Sequence, residues 1–189
     1  MDNGESRYRR FLAGDENAFV EIVDAYRESL IFFLYGFTGD LNAAEDLAED
    51  VFVEVLLHPG RYRFQCALKT WLFTIGRNKA VSFLRKTSRL HLVPPDEAGR
   101  LAEAADSTET ADLEAAVLDS EEKRQLYDAM DQISKEYRMA LHLVYFEELT
   151  CEDAATVMKK NRKQVENLVY RGKQSLRKVL EQEGYEYER

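Results

Sequence analysis

The sequence predicts an all-α protein of two small helical domains, at 1–89 and 120–189, joined by an acidic, flexible linker at 90–119. Three observations carry this. Apolar residues recur at helical spacing through both halves, and no run alternates with the period of two that a strand requires. Pro94-Pro95 opens a stretch to residue 122 that is rich in Ala, Glu, Asp, Ser and Thr and poor in large apolar residues. Charge is sorted the same way: Arg61–Arg89 holds eight Lys/Arg and no Asp or Glu, Leu90–Glu122 ten acids against Arg100, and Lys159–Lys178 eight cations against Glu166. The 189 residues carry a net charge of −9, yet polyanions bind local patches rather than net charge.

The elements follow in order. From Glu16 to Phe37 an apolar stripe runs through Phe19, Ile22, Val23, Tyr26, Leu30, Phe33, Leu34 and Phe37, and the Gly36/Gly39 breakers end it. A second helix begins near Asp40, carries Leu41, Ala44, Leu47, Ala48, Val51, Phe52 and Val55, and stops at Pro59-Gly60. A third, about Ala67 to Lys86, turns Leu68, Trp71, Leu72, Ile75 and Leu84 toward the same core. Beyond the linker, periodicity resumes at Leu126, Met130 and Ile133, then at Tyr137, Ala140, Leu141, Val144 and Tyr145.

Several functions are disfavoured. No apolar run reaches the roughly 18 residues of a membrane span, and the N-terminal residues lack the apolar stretch of a signal peptide, so the expected location is cytoplasmic. Cys66 and Cys151 lack partner spacing for a disulfide framework or zinc site. His58, His91 and His142 are scattered, His142 fits a packed position on an apolar helix, and neither a nucleophile elbow nor a phosphate-binding glycine loop is present. We therefore expect no catalytic residue, no metal and no cofactor.

Two constellations carry function. Thr150-Cys151-Glu152-Asp153 fits a capping box before a short helix with Ala154, Ala155, Val157 and Met158. The turn Lys159-Lys160-Asn161 leads into a longer helix from about Arg162 to Glu181, its apolar side formed by Val165, Leu168, Val169, Leu176, Val179 and Leu180. Short helix, turn and basic helix describe a helix-turn-helix. Its exposed face offers Lys160, Arg162, Lys163, Gln164, Asn167, Tyr170, Arg171 and Lys173. Gln and Asn suit adenine, and Arg or Lys suits guanine or phosphate.

The second constellation lies between Arg61 and Arg89, where eight cations interleave with Tyr62, Phe64, Trp71, Phe73 and Phe83. Unpaired bases stack on rings while cations follow the backbone, so this block suits single-stranded nucleic acid. Phe64, in an expected loop, is the best placed to touch a base; Trp71 and Phe83 suit packing and stacking equally. The preceding helix, Asp40–Leu57, has six acids and no cation. Its face of Asp46, Glu49 and Asp50 beside Leu47 and Val51 is a solvated surface or a dock for a basic protein.

Taken together, DLAEDVF at 46–52, KTWLFTIGRNKAVSFLRK at 69–86 and YFEELTCEDAATVMKKNRKQVENLVYRGKQSLRKVL at 145–180 resemble a bacterial sigma factor of the sigma-70 family, of the small extracytoplasmic-function type. The resemblance covers about 18–89 and 120–181. It implies a protein that binds core RNA polymerase and directs promoter-specific initiation. Asp46, Leu47, Glu49, Asp50 and Phe52 then dock on the clamp helices of the largest subunit. Arg61, Arg63, Phe64, Trp71, Arg77, Asn78, Lys79, Arg85 and Lys86 melt and read the −10 element, with a flipped base near Phe64, Gln65 and Cys66. The 162–173 helix reads the −35 duplex, the acidic linker follows the path of nascent RNA, and the polymerase flap region and an anti-sigma protein are further implied partners. The chain departs from the family where the Phe64 loop lacks the frequent Gly-Asp, where Ile133-Ser134 replaces Leu-Pro, and at Leu168 and Gly172, which replace Arg and Ala. Base preference at either element therefore does not carry over. The alternative is a stand-alone helix-turn-helix regulator of duplex operator DNA, which accounts for 150–180 but for neither the acidic helix nor the cationic aromatic block.

Overall fold

Paired helix caps and buried apolar stripes organise the computed structural model, which describes residues 4–90, 126 and 128–183, without the side chains of 88–90. From residue 91 on, the expected linker lies outside the described residues. Those residues are helical, with no strand among them, and fall into two compact units.

The first unit begins with a helix that the sequence reading did not anticipate, α1 (Glu5–Leu12), which buries Tyr8. Its eight residues are fewer than the eleven or so over which helical periodicity is read. Asp15 caps α2 (Glu16–Thr38) by accepting from the Asn17 amide at 3.1 Å, and Gly39, at φ 67°, closes it by donating to the Tyr35 carbonyl at 2.8 Å. Asp40 caps α3 (Leu41–Leu57) in the same way through the Ala43 amide. A 3-10 turn at Pro59–Arg61 and a short loop lead to α4 (Leu68–Leu90). Helix α2 is the hub and packs on α1, α3 and α4. Ile22, Leu30, Leu34, Val51, Val55, Leu68, Leu72 and Phe73 are fully enclosed. Each contributes roughly 1.5–3 kcal/mol of apolar burial. Gly76 lets α4 approach α2: a Cβ there would stand 3.0 Å from Leu30 Cδ1.

The second unit runs from helical residues at 128–131 into α5 (Lys135–Leu141), capped by Ser134, and α5 widens into a π turn at His142–Phe146. Then come α6 (Cys151–Met158) and α7 (Arg162–Gln182), both packed on the α5 and π-turn layer. Met130, Ile133 and Leu141 form a core against Tyr137, Val169, Leu176 and Val179. His142 is a packed histidine, 3% exposed, and faces the equally buried Glu147 with Nε2 3.3 Å from Oε1. The sequence reading missed the π turn and the buried glutamate.

Candidate nucleic-acid interface

In the second unit, capping residues fix where α6 and α7 begin. The Thr150 hydroxyl accepts from the Asp153 amide at 3.1 Å and donates to the Asp153 carboxylate at 2.6 Å. Lys159, at φ 53°, makes the left-handed turn, and Asn161 starts α7. The Asn161 side chain accepts from the Gln164 amide at 2.8 Å while the Gln164 side-chain oxygen accepts from the Asn161 amide at 2.8 Å. Gln164, expected as a base reader, thus has its acceptor engaged, and a bidentate adenine pair requires it to leave the cap.

Lys163, Asn167, Tyr170 and Arg171 are exposed on the face of α7 opposite its buried Val165 and Gly172, and Tyr170 is 64% exposed. Arg162 is tied to Glu166 at 2.7 Å, Lys160 to Glu136 of α5 at 2.9 Å, and Lys173 lies 4.4 Å over the Tyr145 ring. The eight residues expected to read duplex therefore divide into four open ones and four with a partner inside the unit. At Gly172 a Cβ would meet Tyr137 Cβ and Leu141 Cγ at 3.2 Å, so the glycine seats α7 against α5.

In the first unit, Tyr8 centres an aromatic cluster. Its ring lies edge-on to Tyr62 at 5.0 Å, Trp71 at 6.0 Å and Phe64 at 6.2 Å, and its hydroxyl donates to the Pro59 carbonyl at 2.8 Å. Burial pushes the Tyr8 hydroxyl up to about 12. Tyr62, whose pKa burial also raises, donates to the Cys66 carbonyl at 2.6 Å and so braces the loop before α4. Trp71 packs on Tyr62 at 5.1 Å and is half-buried, so it belongs to this cluster's base. Phe64 sits at the rim with φ 57°, half-buried, its ring 4.7 Å from that of Tyr62. The Arg9 guanidinium, from the unanticipated α1, is centred 4.1 Å over the Phe64 ring.

The cations of the 61–86 block divide. Arg63 is exposed beside Phe64. Arg61 and Lys79 both bind Glu54 of α3, at 2.8 and 3.1 Å. Burial opposes ionisation of Glu54, but the hydrogen bonds and charges of Lys79 and Arg61 win and hold its carboxyl below the usual range. Lys79 and Lys86, with Asn78, Ile75 and Phe83, line an open groove of about 520 Å³ opposite Leu47, Asp50 and Glu54. Arg77 is half-buried; its burial and the charge of Arg85 lower its pKa.

On α3, Asp46, Glu49 and Asp50 are exposed, as the docking expectation requires. Leu47 and Phe52, at 7% and 6% exposed, are largely enclosed by the bundle, and Leu47 also lines the groove between α3 and α4. The apolar part of the open face is instead Val53, Leu56 and Leu57, at 50%, 50% and 66% exposed. Their positions continue the stripe of Asp46, Glu49 and Asp50 at helical spacing, a signal present in the sequence but not used. Among the described residues no group of three or more His, Cys, Asp or Glu side chains is placed to hold a metal, and no helix is long and apolar enough to cross a membrane.

The sequence model of sigma-70 region 2 matches residues 22–90, and that of sigma-70 region 4 matches 123–176. The RNA polymerase sigma-H factor of Pseudomonas aeruginosa is 30% identical, over 96% of this chain and 95% of its own length. The ECF RNA polymerase sigma factor SigW of Bacillus subtilis is 25% identical, over 93% and 96%. Among solved structures, the fold is similar to that of the sigma factor RpoE of Bartonella quintana, crystallised with the anti-sigma factor NepR, with a TM-score of 0.65 at 22% identity over 86% of this chain and 96% of that one. CnrH, in complex with the cytosolic domain of CnrY, aligns with a TM-score of 0.61 at 19% identity over 95% and 98%. With region 2 in the unit that holds the aromatic cluster and region 4 in the unit that holds the helix-turn-helix, the chain belongs to the sigma-70 family, in its extracytoplasmic-function group.

Proposed function

We propose that this sigma factor binds core RNA polymerase through the open face of α3 and delivers two DNA-binding surfaces to a promoter. Asp46, Glu49 and Asp50, continued by Val53, Leu56 and Leu57, form the docking stripe. The Phe64 loop with Arg63, and α4 with Arg77, Asn78, Lys79, Arg85 and Lys86, hold the unpaired −10 strand. Lys163, Asn167, Tyr170 and Arg171 of α7 contact the −35 duplex, with Lys160, Arg162, Gln164 and Lys173 at its edges. Binding energy at unpaired bases favours strand separation without hydrolysis of nucleotide by the chain itself, and the setting is the cytoplasm. Because RpoE is found with NepR and CnrH with the cytosolic domain of CnrY, we propose an inhibitory protein partner here too.

The observation that carries the reading is one chain holding both a cationic aromatic block beside an acidic helix and a capped helix-turn-helix. A stand-alone operator-binding regulator needs only the latter. The test is run-off transcription with core polymerase on genomic fragments: specific start sites sharing two upstream elements are expected. Tight operator binding by the protein alone, with no initiation from core, overturns the reading.

A further inference from the structure

Three arginines stand close together on α1, and they are not used alike. Arg10 is held by Glu21 at 2.8 Å and by Asp15 at 2.9 Å, and Arg7 by Glu21 at 3.6 Å. Arg9 has no ion pair among the described residues; its partner is the Phe64 ring, 4.1 Å away. Phe64 in turn holds a left-handed backbone at φ 57°, a conformation that disfavours a bulky side chain by about 1–3 kcal/mol. The loop is kept in that shape by the Tyr62 hydroxyl on the Cys66 carbonyl and by the Tyr8, Tyr62 and Trp71 rings beneath it.

We infer that Arg9 is a nucleotide-binding residue, which stacks on Phe64 and presents its N–H edge to the backbone of an unpaired strand at this loop. A guanidinium over a ring engages its face and leaves the five N–H donors around its rim for phosphate or a base edge. Arg9 over the ring and exposed Arg63, one residue before Phe64, carry no ion pair among the described residues, whereas Arg61 and Lys79 share the Glu54 carboxylate. Such a pair of cations around one half-exposed ring suits a single strand, whose unpaired base edges and flexible backbone can reach the guanidinium rim; a duplex keeps its base edges paired. Helix α1 precedes the residues matched by region 2, which begin at 22, so the strand site extends beyond them.

The inference rests on the proposed −10 role of the Phe64 loop. Its test uses reconstituted holoenzyme with wild-type chain, R9A or R9K, and a short fluorescein-labelled single strand of mixed sequence, with the matching duplex as control. R9A is expected to weaken single-strand binding about tenfold, the size of one charge-assisted hydrogen bond to the strand, with core association, duplex binding and thermal melting unchanged. R9K is expected to recover only part of the loss, because an ammonium lacks the planar fork. Wild-type affinity in R9A, full recovery in R9K, or an equal loss of duplex binding or core association overturns the inference. If the wild-type holoenzyme initiates at specific promoters while R9A is unaffected, the inference alone falls. If the wild type never initiates, the promoter reading falls with it.

Discussion

Phe64 and Gln164 are each proposed to meet nucleic acid, and each side chain already serves the fold. At Phe64 the left-handed backbone and the ring oppose each other. Phe64→Gly relaxes the backbone but removes the contacts to Tyr62 and Arg9. Its stability is expected to change by no more than about 1–2 kcal/mol in a denaturant melt, while affinity for single strands falls clearly. Gln164→Ala removes half of the capping box and is expected to lower the stability of the region 4 unit by about 1 kcal/mol. Arg171→Ala, on the open part of α7, is expected to weaken −35 duplex binding without changing the melt; gel shift with holoenzyme separates the two. The sequence shows a ring in a loop and a glutamine three residues after an asparagine, and both were legible as candidates. Arg9 was not, because only the packing of α1 on α2 brings it to a loop far along the chain.

At the level of the element, α3 is bound to its neighbour by charge as well as by apolar burial. Glu54 joins it to Arg61 and to Lys79 of α4. Since the folded carboxyl titrates below its ordinary value, its contribution is complete above the unfolded carboxylate pKa, near 4.3, and is lost as pH falls through the lower folded value. Glu54→Gln is expected to cost about 1 kcal/mol or less at neutral pH. It should remove that share of the acid dependence in thermal melts taken down to about pH 3. Asp50→Lys is expected to weaken core association in a pull-down by reversing charge in the docking stripe, with the fold intact because Asp50 is exposed. The exposed acids of α3 were plain from composition. Which of its apolar residues are open was not, because only the direction in which α3 faces the bundle separates enclosed Leu47 and Phe52 from exposed Val53, Leu56 and Leu57.

Across the whole molecule, charge sorting outweighs net charge. Each phosphate neutralised releases counterions, so holoenzyme affinity for a promoter is expected to fall steeply and log-linearly with salt, read from filter binding over a salt series. The long helices were legible because 3.6-residue periodicity survives over some twenty residues, and the capping residues Asp15, Asp40, Thr150 and Asn161 mark their starts. What escaped was short or irregular: α1, the π turn, and the buried His142–Glu147 pair, whose partners are set by tertiary packing.

Trp71 is the chain's single tryptophan, and it lies at the base of the Tyr8–Tyr62–Phe64 cluster. Red-edge excitation of the free protein therefore reports one environment, with no background from elsewhere in the chain. A change in its emission maximum or in quenching by acrylamide is a local optical signal of the loop's state. The protein thus carries its own label at the site where the strand is proposed to enter.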